Sequence, residues 1–184
     1  MCSKLCCWRS PEQGEQSEDV PLQPVAPIRN VNVAVKLLQP PIPVDIPASG
    51  FGPGNRLEVI GSPRRLGGRF ESFVIEPVVQ VNFMCRNGDH ALHYNSRFDE
   101  NCTVLNDKKY QIYWNMNTEE RHEQQFAYGD HISMEFLQKQ GEMQIFNNGE
   151  PFIIYKNRRD PSKINQIIIS GDIDVRSFRL LTPT

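Results

Sequence analysis

The sequence predicts an all-β fold, an antiparallel β-sandwich, on three observations. Apolar and polar residues alternate with a period of two in one segment after another, the pattern of strands with one buried face. Turn residues separate these segments at short intervals. No stretch sustains a helical period of apolar residues. Many short strands with turn signals between them pack as two stacked sheets.

The elements follow in order. Residues 1–39 read as a disordered, cysteine-containing tail, because "SPEQGEQSEDVPLQPVAP" is too polar and proline-rich for burial to offset its ordering entropy. Within it, the alternating "VNVAVKL", Val31 to Leu37, is a candidate strand. Residues 40–184 read as one folded domain. "QPPIPVDIPASGFGPGN" punctuates the chain and leads into the strand "RLEVIGS", with prolines that suit a sheet edge. "FESFVIEPVVQVNFMC" is apolar and β-branched, and "DHALHYNSRF" alternates. "HISMEFLQ" places Ile132, Met134 and Phe136 on one face. "EMQIFNNGEPFIIYK" reads as a hairpin turning on Asn147-Asn148-Gly149. "INQIIISGDIDVRSFRL" closes the chain, with Ile167, Ile169, Ile173, Val175 and Phe178 as core candidates.

The chain has 184 residues and a formal net charge of −2. That length suits one domain and a tail, and that charge gives no footing for nucleic acid. The densest basic cluster, "KNRR" from Lys156 to Arg159, reads as a solvated loop beside Asp160. No apolar run is long enough to span a membrane as a helix, and the N-terminus lacks the apolar stretch of a secretory signal. The five cysteines therefore read as reduced thiols in a cytoplasmic protein. The sequon Asn101-Cys102-Thr103 is then expected to stay unmodified.

The stretch "HYNSRF" carries the chemistry. On an extended strand His93, Asn95 and Arg97 share one face, and Tyr94, Ser96 and Phe98 the other. An imidazole, an amide and a guanidinium together can grip a small polar molecule. Downstream come "TVLND", with Asn106, and "YWNMNTEER", with Trp114, Glu119 and Arg121. Glu119 and Arg121 share a face, where a carboxylate can accept from hydroxyls while holding a guanidinium. Trp114 offers a flat aromatic platform for C–H bonds. The competing reading of all seven is plainer: a solvated strand face, a turn asparagine, a rim indole and a surface ion pair.

The order His-x-Asn-x-Arg, Val-x-Asn, Trp, Glu-x-Arg resembles the carbohydrate-recognition domain of galectins. So do the flanks "PPIPVDIPASGFGPGNRLEVIGS", "VNFMCRNGDHALHYNSRF" and "ISGDIDVRSFRL". The resemblance runs from Pro40 to the C-terminus and implies a jelly-roll β-sandwich that binds β-galactoside glycans on glycoproteins or glycolipids, without catalysis. It implies that His93, Asn95 and Arg97 hold the axial 4-hydroxyl of galactose, Asn106 and Glu119 take the 6-hydroxyl, and Trp114 stacks. Arg97, Glu119 and Arg121 would reach the next sugar. The family pairs through terminal strands, so a homodimer is open, as is leaderless export to the extracellular space. This chain has Ser96 where the family usually has proline, and a longer segment from Asn106 to Glu119. That segment leaves Trp114 and Tyr113 as alternatives for the platform. It also leaves a second function open: a galectin fold with weakened sugar binding that serves as a cytosolic protein-interaction module.

Other chemistry finds no support. His90 and His93, three apart, would face opposite sides of a regular strand, and Cys2, Cys6 and Cys7 lack a fourth metal ligand. A glycosidase needs two carboxyls across a cleft, whereas the adjacent Glu119 and Glu120 would point apart. No cofactor or enzymatic activity is expected. The start "MCSKLCCWRS" resembles the acylation segment of neuromodulin-type proteins. Lipid on Cys6 and Cys7, with Cys2 as a further candidate, would tether the tail to a membrane surface; a free-thiol tail is the alternative.

Overall fold

The structure is a computed structural model that describes residues 31–33, 43–64, 78–110 and 113–183. Cys2, Cys6 and Cys7, and most of the long segment before Val81, lie outside the described residues. Strands are numbered along the chain. One sheet has the order β1 (Val31–Val33), β13 (Ile173–Pro183), β3 (Arg56–Pro63), β9 (Ile132–Gln138), β10 (Glu142–Asn147) and β11 (Glu150–Lys156). The other has β2 (Val44–Pro47), β12 (Ile164–Gly171), β4 (Val78–Cys85), β5 (His90–Arg97), β6 (Cys102–Lys109) and β7 (Tyr113–Trp114), with β8 (Glu120–Glu123) also on β6. The described pairings are antiparallel. The β-sandwich expected from the alternation is present. The one helical element among the described residues is a 3₁₀ turn, Pro161–Lys163, capped by the Asp160 side chain.

The core forms where the alternating apolar faces meet. Ile132, Met134 and Phe136 of β9 are buried, as are Ile167 and Ile169 of β12. Ile173, Val175 and Phe178 are buried too, although their spacing changes from two to three. A register shift between Val175 and Ser177 accounts for the change, because one extra residue restores the inward phase. The ring of Tyr94 on β5 meets Phe136 of the facing sheet edge-on at 5.3 Å, and Phe83 of β4 meets Phe136 at 5.4 Å. Such pairs add about 0.5–1.5 kcal/mol beyond their area burial.

The hairpin turns on Asn148 and Gly149, both at positive φ, with Asn147 opposite Glu150. Two left-handed residues in a two-residue loop match the twist of the flanking strands. After the turn the register shifts opposite Ile145 and Phe146 and leaves Phe152 as an extra residue, so Ile153 and Tyr155 are the buried residues of β11. In the tail, Val31–Val33 pairs with Leu181–Pro183 and adds a strand outside β13.

Between β12 and β13 the chain reverses at Gly171, φ +95°. A Cβ there would sit 2.1 Å from the Val78 carbonyl oxygen, which accepts from the Asp172 N–H at 2.6 Å. Gly171→Ala is therefore expected to destabilise the fold by about 1–3 kcal/mol or more, measured by chemical denaturation against the parent.

Candidate functional site

The register of the second sheet builds the site as rows across neighbouring strands. Asn82, His93 and Asn106 lie opposite one another on β4, β5 and β6. The next row holds Gln80, Asn95, Val104 and Arg121, and Arg97 follows, opposite Cys102. On the other side of His93 stand His90, Lys108 and Trp114. Together they line an open groove of about 480 Å³, which Glu119 also borders. All seven residues singled out in the sequence line this one groove. Tyr94 and Ser96 face the core and are fully buried.

His90 corrects an expectation from regular strand geometry. Register shifts beside it, with Leu92 opposite Phe83 and His90 opposite Met84, leave Ala91 as an extra residue in β5. This bulge turns His90 onto the groove face, where its ring lies 6.1 Å from that of His93. Among the described residues, no group of three or more His, Cys, Asp or Glu is placed to hold a metal ion.

His93 is held by Asn82, whose Oδ1 lies 2.5 Å from Nδ1. A carbonyl oxygen only accepts, so Nδ1 carries the proton and Nε2 offers a lone pair. Burial first, then His90, Arg97 and Lys108, push the His93 pKa down to about 3. His90 is pushed down to about 4, mainly by burial and then by Lys108. Both imidazoles are neutral at neutral pH. Asn95 is 4% exposed, and its Oδ1 is buried with no partner among the described residues. Asn106 Oδ1 accepts from the Asp107 N–H at 2.8 Å, which leaves its amide N–H groups for another partner.

The indole of Trp114 lies 4.6 Å from the His93 ring and 5.3 Å from His90. It is 38% exposed and borders the groove, while Tyr113 is 66% exposed and does not. The longer turn therefore leaves Trp114, not Tyr113, as the available platform. Beyond it, charges alternate. Arg97 Nη1 donates to Glu100 at 2.8 Å, Arg121 Nη1 donates to Glu100 at 2.5 Å, and Arg121 Nε donates to Glu119 at 2.8 Å. The two guanidiniums hold the Glu100 carboxyl below its usual range, Arg121 contributing most. Sequence reading missed Glu100 and Asn82; the signal for Glu100 was an acid in the turn directly after Arg97.

Sequence reading also took "KNRR" for a solvated loop. The structure instead turns its two arginines inward, because Asp107 behind the groove is nearly fully buried and needs counter-charge. Arg159 donates twice to Asp107 Oδ2, at 3.1 and 2.7 Å. Arg158 donates to Asp107 Oδ1, Thr118 Oγ1 and Glu120 Oε1. The Asp107 carbonyl also accepts from the Asn115 N–H. These bonds pin the long segment that carries Trp114. Glu120, paired with Arg158, points away from Glu119, paired with Arg121.

The two sheets, the polar strand face and the indole beside it describe a lectin-like β-sandwich. Comparison with known proteins gives the family. The family model of galactoside-binding lectins matches residues 41–180. The chain is 31% identical over 133 residues to a "32 kDa beta-galactoside-binding lectin" of Haemonchus contortus, covering 72% of this chain and 43% of that protein. It is 30% identical over 133 residues to the Caenorhabditis elegans protein of the same name, covering 72% and 44%. It thus spans less than half the length of these relatives. The crystal structure of Caenorhabditis elegans galectin LEC-6 superposes with a TM-score of 0.69 at 28% identity, over 79% of this chain and 94% of that one. Sheep galectin-11, in complex with glycerol, shares the fold at a TM-score of 0.65 and 20% identity, over 76% and 98%. The chain belongs to the galactoside-binding lectin family, the galectins, with one such domain over residues 41–180.

Two expectations follow. Asp107→Asn should cost about 1–3 kcal/mol by leaving Arg158 and Arg159 short of charge. In a Trp8→Phe background it should also make Trp114 fluorescence easier to quench with acrylamide. Next, the folded pKa values of His90 and His93 lie below the ordinary 6.5. As pH falls below about 6.5 the unfolded chain takes up protons that the folded chain refuses, so stability drops towards pH 4. A His90→Gln/His93→Gln variant should lose less thermal stability than the parent over that range.

Proposed function

We propose that this chain is a β-galactoside-binding lectin that recognises its ligand without turnover. One observation carries the reading: a nearly buried Asn95 lines the same groove as a neutral His93, an ion-paired Arg97 and a half-exposed Trp114. A galactoside has a rim of hydroxyls and one face of C–H bonds, and this groove supplies a complement to each. The axial 4-hydroxyl donates its one proton to His93 Nε2 and accepts from Arg97 and from the Asn95 amide N–H. Asn106 and Glu119 serve the 6-hydroxyl. Trp114 covers the C–H face. Arg121 and Arg97, locked by Glu100, present donors to the next sugar without losing rotamer freedom on binding. The kinship to proteins named as β-galactoside-binding lectins supports the same reading.

Selectivity would come from stranded groups. An equatorial 4-hydroxyl leaves the His93 acceptor unpaired, at a cost on the order of 1–3 kcal/mol.

The test is retention on immobilised lactose with elution by free lactose. Arg97→Ala and Glu119→Ala should each weaken retention by about tenfold or more, because each also breaks the charge chain around Glu100. Unchanged retention in both removes the assignment. Retention should stay flat from pH 8 to pH 5, since His93 remains neutral well below that range. A loss centred near pH 6.5 would contradict the lone-pair role of Nε2.

A further inference from the structure

We infer that the outer end of the β6–β7 ribbon is a membrane-contact site, which rests on the headgroups of an anionic phospholipid surface. This contact needs no sugar and goes beyond the galactoside reading.

Strand alternation shows that the ribbon overhangs the sandwich. Lys108 lies opposite Trp114, and Lys109 opposite Tyr113. Lys108 and Trp114 line the groove, so Lys109 and Tyr113 belong to the other face. Further along the sheet that face packs on the core, through Tyr94 and Leu105 for example. At the ribbon it stands in solvent: Tyr113 is 66% exposed, and Lys109 is exposed as well. Tyr110, equally exposed, follows Lys109 at φ +55°. Such a turn position favours glycine or asparagine, so a tyrosine there does not serve the turn. Met116 is exposed too. Ile60 apart, every large apolar or aromatic side chain exposed among the described residues lies on this one segment. Single scattered exposures need no explanation, whereas a cluster marks a contact surface.

Charge and size define the partner. From Lys108 to Thr118 the sequence has two lysines and no acidic residue. The acids on either side are already answered: Asp107 by Arg158 and Arg159, Glu119 by Arg121, and Glu120 by Arg158. Among the described residues neither lysine forms an ion pair. Lys108 Nζ lies over the Trp114 ring and Lys109 Nζ over the Tyr110 ring, at 5.1 and 5.0 Å from the centroids. Amphipathic rings beside unmatched ammonium groups suit a bilayer interface, where the ring sits at headgroup level and the amine meets phosphate. A stable protein partner would need about 800 Å² on this side, more than Lys109, Tyr110, Tyr113 and Met116 together offer. The base of the segment is braced to present them. Arg158 bonds Asp107 at one end and Thr118 at the other, and the Asn115 N–H and Nδ2 both donate to Asp107.

The experiment is co-sedimentation of the full chain with sugar-free unilamellar vesicles, of phosphatidylcholine alone and of equimolar phosphatidylcholine and phosphatidylserine. The parent is expected to bind the anionic vesicles about tenfold better than the neutral ones, and less as sodium chloride rises. Lys109→Gln should weaken binding about fivefold, and Tyr110→Ser/Tyr113→Ser about tenfold. An unchanged melting temperature shows that each variant is folded. None of these three side chains lines the groove, so retention on lactose should match the parent's. No binding of the parent to the anionic vesicles overturns the inference, as does binding that ignores vesicle charge. Binding that survives the tyrosine substitutions also overturns it, by placing the contact elsewhere on the chain. Release by free lactose does the same, by placing it in the groove. The lactose column tests the galactoside reading separately, so either can fail while the other stands.

Discussion

Burial of Tyr94 between the two sheets is the constraint on which the site depends. Its ring is closed off by Phe136 from the facing sheet, and its hydroxyl accepts from Ser96 Oγ at 3.3 Å. Ser96 Oγ also meets Thr103 Oγ1, which donates to Gln124. This string satisfies buried polar groups that would each be costly if left alone. Because strand side chains alternate, fixing Tyr94 and Ser96 inward fixes His93, Asn95 and Arg97 outward. A slip of one residue would exchange the two sets, exposing a tyrosine and burying a guanidinium. The groove is therefore as well defined as the core beneath it. Ser96, where the family usually has proline, belongs to the core side of this arrangement.

Electrostatics then divides the groove. The paired arginines give one end rigid donors whose charge is already answered. The histidines in the middle work as neutral groups, because burial makes the imidazolium too costly. Asn82 sets the tautomer that leaves an acceptor facing outward. Behind the wall, Asp107 and two arginines replace the rigidity that a shorter turn would have supplied. Their contacts reach Thr118 and Glu120 as well as Asp107, so the long segment is held at both ends.

Much of this was legible in the sequence because period-two alternation determines both strand and face. Ile132, Met134 and Phe136 could be assigned inward, and His93, Asn95 and Arg97 outward, from spacing alone. The hairpin was legible because Asn148-Gly149 has few alternatives to a left-handed turn. What escaped was whatever depends on a break in the alternation or on a contact far away in the chain. The extra residue at Ala91 brought His90 onto the groove face, and no local signal marks it. The extra residue at Phe152, opposite Ile145 and Phe146, chose Ile153 and Tyr155 as the buried pair. Arg158 and Arg159 look like any loop cations until the fold brings Asp107, some fifty positions earlier, beneath them. Glu100 and Asn82 act on residues already recognised, but through geometry that a linear pattern does not encode.

The groove lies along an open sheet face, with walls on its flanks and much of its mouth in solvent. An open mouth favours rapid exchange, since little has to move for a bound sugar to leave. On the proposed reading a single engagement would be brief, its lifetime set by the few contacts made on the sheet. Lasting attachment to a glycan-coated surface would then depend on how densely the sugar chains are displayed, and on how many copies of the domain meet them together. Residence would be a property of the crowd, and the individual groove would serve chiefly to choose which chains are counted.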